Sequence, residues 1–533
     1  MIRLSRTILL LVLTFSFLSG RSFAEDPALN KIMERLERLE KKQEALEEQL
    51  KAKDARIKEL ETELKQVKQE TKQPATITKP ETQKPEAEIG ATKPAEVPGA
   101  EAEKPAPVPE TEKGTEAEKY VEIGSMMVPY SVLESRAKWV YEPGKGFRIF
   151  TSRWGEMNIS IYSYARYLNQ KGTSDSFTDA FDRTFDIDPR NDLQLAKLQI
   201  KFAGWFGTPK FRYYLWAWTS NANMGQGAQV VLGGTLSYLL NSRFSLGAGI
   251  AALPTTRSTR GTFPYWLRVD ARPMADEFFR GSYTTGIFAF GDIIDKNLHY
   301  KAMWGNNLSQ LGIDAGQLDN AFQTIATALW WTTDNYGAYE GVGDFYHHEK
   351  PALTFGADYT YSREDKQSQP GKDDFENTQL RLSDGTAIFD PDAFGPGLQV
   401  NEATYQMAAF DGGVKYRGFS FDYNYYLRWI NSLSSSQALP FRSFFDHGFD
   451  LQASYMLVPK IWQIYTFGSK VFGQFGDPWE IGGGFNVFPF KNKAARFNVE
   501  LDYYHRSPVG YLAYPSQVGM KGPVFMTNFE LNL

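Results

Sequence analysis

The chain contains no cysteine, so disulfide frameworks, thiolate metal sites and cysteine nucleophiles are all excluded. Histidine is scarce, with five in 533 residues, which leaves little room for imidazole-based chemistry. The net charge is only -5, too weak an imbalance to imply nucleic acid or any other polyionic partner. Beyond the N-terminal segment, no stretch is apolar for the roughly 20 residues a membrane-crossing helix needs. A phosphate-binding glycine loop is missing too, because no helix follows the "GGGF" that begins at Gly482. No cofactor or metal is expected.

Aromatic residues, by contrast, are abundant at 15%, yet the mean hydropathy is -0.42. An aromatic-rich chain that is polar on average suits a structure in which apolar and polar side chains alternate. The distribution along the chain is uneven and defines four segments.

Residues 1–24 place Arg3 and Arg6 before an apolar run from Ile8 to Leu18, with Ser22 and Ala24 around a cleavage point. That pattern reads as a secretory signal peptide, so export from the cytoplasm is expected. In residues 25–68, heptad steps run through Leu29, Leu36, Gln43, Leu50, Ile57 and Leu64, and through Ile32, Leu39, Leu46, Lys53, Leu60 and Val67. Two interleaved apolar series form the seam of an α-helical coiled coil, which predicts self-association. Residues 69–119 carry scattered prolines, mixed charges and no aromatic residue, which predicts a disordered, extended linker.

Residues 120–533 hold nearly all the aromatic residues, and there the period changes to two. In "FSFDYNYYLRW", Phe419, Phe421, Tyr423, Tyr425, Leu427 and Trp429 share one side, and Ser420, Asp422, Asn424 and Arg428 the other. The same alternation governs "AKLQIKF", "FNVELDYY" and the final "VFMTNFELNL". Segments of about ten residues with charged side chains on one face and aromatics on the other are the signature of transmembrane β-strands. Sixteen of them are expected, starting near Asn158, Leu193, Phe211, Gln229, Phe244, Ser282, Asn297, Phe322, Ala352, Thr404, Phe419, His447, Ile461, Pro478, Arg496 and Pro523. Connections after strands 2, 4, 6, 10, 12 and 14 are short, whereas those after 1, 5, 7, 9, 11 and 15 are long, as in outer-membrane barrels. The stretch after strand 8, "DNYGAYEGVGDFYHHEK", is too long for this scheme and suggests a misplaced strand. The fold expected is therefore an all-β antiparallel transmembrane barrel of about sixteen strands, its last strand paired with its first. A soluble β-sandwich would not need alternating short and long connections.

This layout resembles the phosphate-selective porin O and P family. The resemblance lies in the order of signal peptide, coiled coil and barrel, and in "FSLGAGIAALPTTRSTRGTFPYWLRVDARPMADEFFRGSYTTGIFAFG", where strand five leads through an arginine-rich insertion into strand six. It implies a trimeric outer-membrane channel with the coiled coil in the periplasm. An inward-folded loop would narrow the pore, and basic side chains would guide small polar or anionic solutes. The candidate constriction residues are Arg257, Arg260, Arg268, Arg272 and Arg280, with Lys197, Lys201 and Lys301 on the inward face of the wall. Two departures stand out: the chain ends on Leu533 rather than an aromatic residue, and the inward positions also include Asp358, Asp422, Asp450, Glu480, Glu500, Asp502 and Glu530. A mixed lumen implies a transverse field. The arginines can line the constriction or pair with nearby acids, and the sequence leaves both readings open.

Two further functions were weighed. Hydrolysis would need His299, His447 or His505 in a triad geometry, and no enzyme is expected. The coiled coil and linker could instead tether the outer membrane, with its lipid around the barrel, to the cell wall.

Overall fold

The computed structural model describes residues 146–220, 229–294, 296–310, 321–337, 340–367, 369, 380–435, 437–511 and 514–533, and the short strands Tyr120–Ile123, Met126–Pro129 and Tyr141–Glu142. All belong to the second of two units, Met1–Pro107 and Val108–Leu533. The expected signal peptide, coiled coil and linker lie outside the described residues.

Sixteen antiparallel strands close into one barrel. They are β1 (Gly155–Asn169), β2 (Asn191–Phe206), β3 (Thr208–Ser220), β4 (Gln229–Asn241), β5 (Phe244–Ala252), β6 (Tyr283–Ile294), β7 (Leu298–Gly305) and β8 (Thr324–Thr332) in the first half. The second half comprises β9 (Ala352–Asp365), β10 (Val400–Tyr416), β11 (Phe419–Ser435), β12 (Phe444–Val458), β13 (Trp462–Phe472), β14 (Trp479–Val487), β15 (Ala495–His505) and β16 (Lys521–Asn532). Every expected strand is present, including both flanking the stretch thought to mark an error. There the connection, not the strand assignment, is unusual.

Closure is through β16 and β1, in register from Phe525 opposite Asn169 to Asn532 opposite Tyr162. Where β16 ends, Leu533 exchanges backbone hydrogen bonds with Ile161. A further strand, Gly146–Ser152, then takes over the same edge of β1, from Ile159 to Gly155. The sequence reading missed this strand. It extends the pairing of β1 beyond the end of β16, which matters because an unpaired backbone group facing lipid costs several kcal/mol.

The side chains sort by face as the period of two requires. Along β11, Phe419, Phe421, Tyr425 and Trp429 are exposed, whereas Ser420, Asp422, Asn424, Tyr426 and Arg428 are buried inside. Outward aromatics gather at both ends of the strands. Phe206 packs on Phe211 at 4.5 Å and Trp331 on Phe355 at 6.3 Å at the short-turn end. Trp304 meets Phe322 at 5.0 Å and Trp429 meets Phe445 at 5.3 Å near the long ones. Two aromatic girdles around an apolar band are what a bilayer with two interfaces selects.

The largest apolar cluster lies inside the barrel and draws on both halves of the wall, including Phe288 and Phe290 of β6 and Met303 of β7. It joins Tyr405, Tyr426 and Val471 of the wall to Met274, Phe278 and Phe279 of the insertion and to Leu382, Ile388, Phe394, Val509 and Tyr514 of the long connections.

Candidate functional site

Two connections fold into the lumen from opposite ends. The first, residues 253–282 after β5, enters from the long-loop end. Thr256 caps a short 3-10 turn, Arg257–Thr259, whose Thr259 Oγ1 accepts hydrogen bonds from Thr255 N at 3.0 Å and Thr256 N at 3.1 Å. Pro273 then opens a six-residue helix, α1 (Met274–Phe279), which is buried throughout. Buried backbone needs partners, and the wall supplies many of them. The Leu267 carbonyl accepts from Asn486 Nδ2 at 3.0 Å, and Trp266 O accepts from Arg496 Nη1 at 2.7 Å. Val269 O accepts from Arg166 Nη2 at 2.5 Å.

Three insertion arginines each reach acids on the wall. Arg257 pairs with Asp422 of β11 at 2.6 Å. Arg260 bridges Asp358 of β9 and Asp411 of β10, both at 2.5 Å. Arg268 meets Glu500 at 2.8 Å and Asp502 at 2.5 Å on β15, and Glu480 of β14 at 3.5 Å. Gly356 on the inward face of β9 makes room for this, because a methyl there would overlap the Arg260 guanidinium. The other two insertion arginines meet acids of their own loop: Arg272 lies 3.4 Å from Glu277 and 3.9 Å from Asp276, and Arg280 pairs with Glu277.

The second insert is the unexpectedly long connection 333–351 after β8, which enters from the short-turn end. Tyr336 OH accepts a hydrogen bond from Arg257, and Glu340 pairs with Lys415 of β10 at 2.8 Å. Gly341 lies so close to Tyr265 of the first insert that a Cβ would collide with its carbonyl. Asp344 and His348 pair at 2.5 Å, and Asp344 also accepts from Gly418 N at 2.7 Å. Burial pushes Asp344 upward, but the bonds from His348 and Gly418 outweigh it and leave its carboxyl below the ordinary value. The bond to Asp344 raises His348 above its ordinary value. Beneath the junction, Tyr265, Phe345 and Tyr346 surround Lys493, with its ammonium 4.6, 5.3 and 5.3 Å from their rings. The cavity there is about 20 Å³, and another beside Arg272 and Arg280 is about 10 Å³. Since a water needs about 10–15 Å³, these two cavities are on the scale of single waters.

The wall itself is electrically divided. Inward positions of β9–β16 carry Asp358, Glu364, Asp411, Asp422, Asp446, Asp450, Glu480, Glu500, Asp502 and Glu530 against Lys415, Arg428 and Arg496. Inward positions of β1–β8 carry Arg166, Lys197, Lys201, Arg212, His299 and Lys301, against Glu156 beside Arg148, Asp192 beside Arg190 and Asp292 beside His299. Of the basic wall residues expected from the sequence, Lys197 pairs with Asp270 of the insertion at 2.5 Å. Lys201 is 1% exposed and its Nζ has no hydrogen-bond partner among the described residues. Lys301 is 2% exposed on β7. The structure thus separates the candidates: three arginines sit on the acidic half-wall and the lysines on the opposite one.

The sequence reading missed Asp411, Tyr336 and Glu340. Asp411 was legible from the alternation in "MAAFDGGVKY", but the other two sit on an insert with no periodicity. Of the histidines, His299 lies 2.7 Å from Asp292 and 3.2 Å from Thr332 Oγ1. Neither cavity borders that group, and it pins the β6–β7 turn to the end of β8. The "HHE" stretch gives an ion pair to Asp344, and no cluster able to hold a metal occurs among the described residues.

No family model matches the chain, and no curated relative matches it. Among solved structures, it is similar to OmpT of Vibrio cholerae (11% identity, TM-score 0.45, covering 72% of this chain and 99% of that one). It is similar also to the anion-selective porin from Comamonas acidovorans (10%, 0.44, 71% and 99%). A third is the outer-membrane channel DcaP of Acinetobacter baumannii (7%, 0.42, 73% and 100%).

Proposed function

We propose that the chain is an outer-membrane channel for passive diffusion of small polar solutes, with anions favoured. The observation that carries this is the division of the lumen. The insertion brings Arg257, Arg260 and Arg268 onto the acidic half-wall and compensates it, while the basic residues of β2–β7 remain on the other side. On that side the wall presents Lys197, Lys201, Arg212 and Lys301, all nearly buried, and side chains of one sign lining a constriction select the ion that crosses. Sixteen strands are enough for a barrel to hold an aqueous channel beside its inserts. Small inorganic and organic anions are the solute class this lining suits.

Arrangement as a homotrimer, with residues 25–68 as a periplasmic coiled coil that contacts the cell wall, belongs to the same proposal. It rests on the heptads and on the resemblance to the porin O and P family. Purified full-length protein in planar bilayers tests the core of it. Discrete, persistently open conductance steps are expected. A protein that inserts and migrates faster unboiled than boiled in detergent gels, yet conducts nothing, would overturn the channel reading. Deleting residues 25–119 should leave the conductance intact and reduce any attachment to the cell wall.

A further inference from the structure

The outward face of β11–β16 carries no acidic residue. At its long-loop end, however, it carries a row of basic ones. Lys470 of β13 stands opposite Trp479 of β14, Trp479 opposite His505 of β15, and His505 opposite Lys521 of β16. With strands about 4.8 Å apart, the row spans roughly 14 Å, and Arg506 follows directly in the next connection. Trp479 and His505 stack at 5.4 Å, and the Lys470 ammonium lies 4.4 Å from the Phe472 ring. None of the four basic side chains has an ion-pair partner among the described residues. The exposed acid of the β13–β14 connection, Asp477, accepts from Gly473 N at 3.4 Å, and Glu480 and Asp502 on these strands face the lumen. Elsewhere on the outer surface the pattern differs: on β9 and β10, Arg363 is neutralised by Glu402 at 2.5 Å.

A cation facing lipid is costly deep in a bilayer and nearly free at the interface, which is where an anionic headgroup would meet it. Trp and Tyr favour that same level. We propose that Lys470, Trp479, His505, Arg506 and Lys521 form a docking row for the phosphate groups of an anionic glycolipid in the leaflet at the long-loop end. Charge complementarity selects the headgroup, and the outward Tyr503 and Phe525 below the row offer the acyl chains an apolar surface. The inference rests on the membrane-barrel reading above, and its test separates the two.

The full chain is reconstituted in phosphatidylcholine vesicles containing either bis-phosphorylated lipid A or its dephosphorylated counterpart. It is then re-extracted in mild detergent, and the co-purifying lipid is quantified. Wild type should retain the phosphorylated lipid preferentially. Combining Lys470→Gln, Arg506→Gln and Lys521→Gln should cut retention roughly a hundredfold, at about fivefold per cation near an anionic surface, with conductance unchanged. Lys470→Arg with Lys521→Arg should keep wild-type retention, which distinguishes lost charge from misfolding. Equal retention of the dephosphorylated lipid, or of the phosphorylated lipid by the glutamine variant, would overturn the proposal. Displacement by millimolar inorganic phosphate would overturn the lipid as occupant. Failure of the wild type to insert at all would instead remove the barrel reading.

Discussion

The two half-walls of the lumen are built from the same kind of strand but use charge differently. On β9–β16, acids are buried against guanidinium groups delivered by an insertion from elsewhere in the chain. Arg268 alone serves Glu480, Glu500 and Asp502. On β1–β8 the charge is mainly basic, and Lys201 has no hydrogen-bond partner among the described residues. The lesson is that inward charges of either sign can hold the insertion. On the acidic half-wall the charges seat it through Arg257, Arg260 and Arg268, and on the basic one Lys197 pairs with it, through Asp270.

The comparison is broken most severely at Arg268. Arg268→Leu should destabilise the barrel interior by about 3–5 kcal/mol, because removing one partner strands buried charges. Loss of the fast-migrating unboiled band at lower temperature would register this. Lys201→Gln on the other half-wall should leave that band where it is, since no partner is stranded. Similar losses of stability from both substitutions would erase the distinction between the half-walls.

Next in size is the contrast between the outer and inner faces of one strand. Tyr423→Arg places a cation against lipid on β11 and should cost about 2–4 kcal/mol if it lies near the midplane. The neighbouring inward Asn424→Arg, which would face Asp450, now 2.8 Å from its amide, should assemble normally and alter conductance. Equal assembly yields for the two variants would contradict the facing.

A smaller effect concerns the second insert. Its Asp344–His348 pair has His348 raised and Asp344 lowered. Stability from the histidine is full below its unfolded value of about 6.5 and is lost as pH rises through the raised folded value. The carboxylate's share is present above its unfolded value and is lost as pH falls through the depressed one. The insert should therefore be held best in mildly acidic solution and loosen by up to about 1 kcal/mol as the pH is taken from 6 to 9. Current noise should rise over that interval in wild type but not in His348→Gln. Noise that falls with rising pH would reverse the assignment.

Much of this architecture was legible in the sequence, because a barrel strand announces its facing every second residue. Phe419 to Trp429 could be sorted inside from outside without coordinates. The arginine content and length of residues 253–282 pointed to an inward loop. The pairings were not legible. Arg268 meets acids more than 200 positions away, and no local pattern records which wall a loop will touch. For the same reason the sequence could not tell that Arg272 and Arg280 meet Glu277 of their own loop, while Arg257 and Arg260 cross to the wall. The connection 333–351 was recognised only as an excess of length, since an insert held by Glu340, Asp344 and Tyr336 has no repeat to read.

The central claim is that ions pass beside the basic half-wall of β2–β7. The reversal potential in a potassium chloride gradient tests it most directly, with wild type compared against Lys201→Gln combined with Lys301→Gln. A unit charge about 10 Å from the ion contributes roughly 0.4 kcal/mol at the dielectric of water, or about a twofold change in permeability ratio per lysine. Wild type should be anion-selective, and the double variant should shift toward the potential of a non-selective pore by that amount for each charge, with the shift shrinking in molar salt. A cation-selective wild type, or a reversal potential unmoved by the double substitution in a protein that still inserts and conducts, would contradict the account.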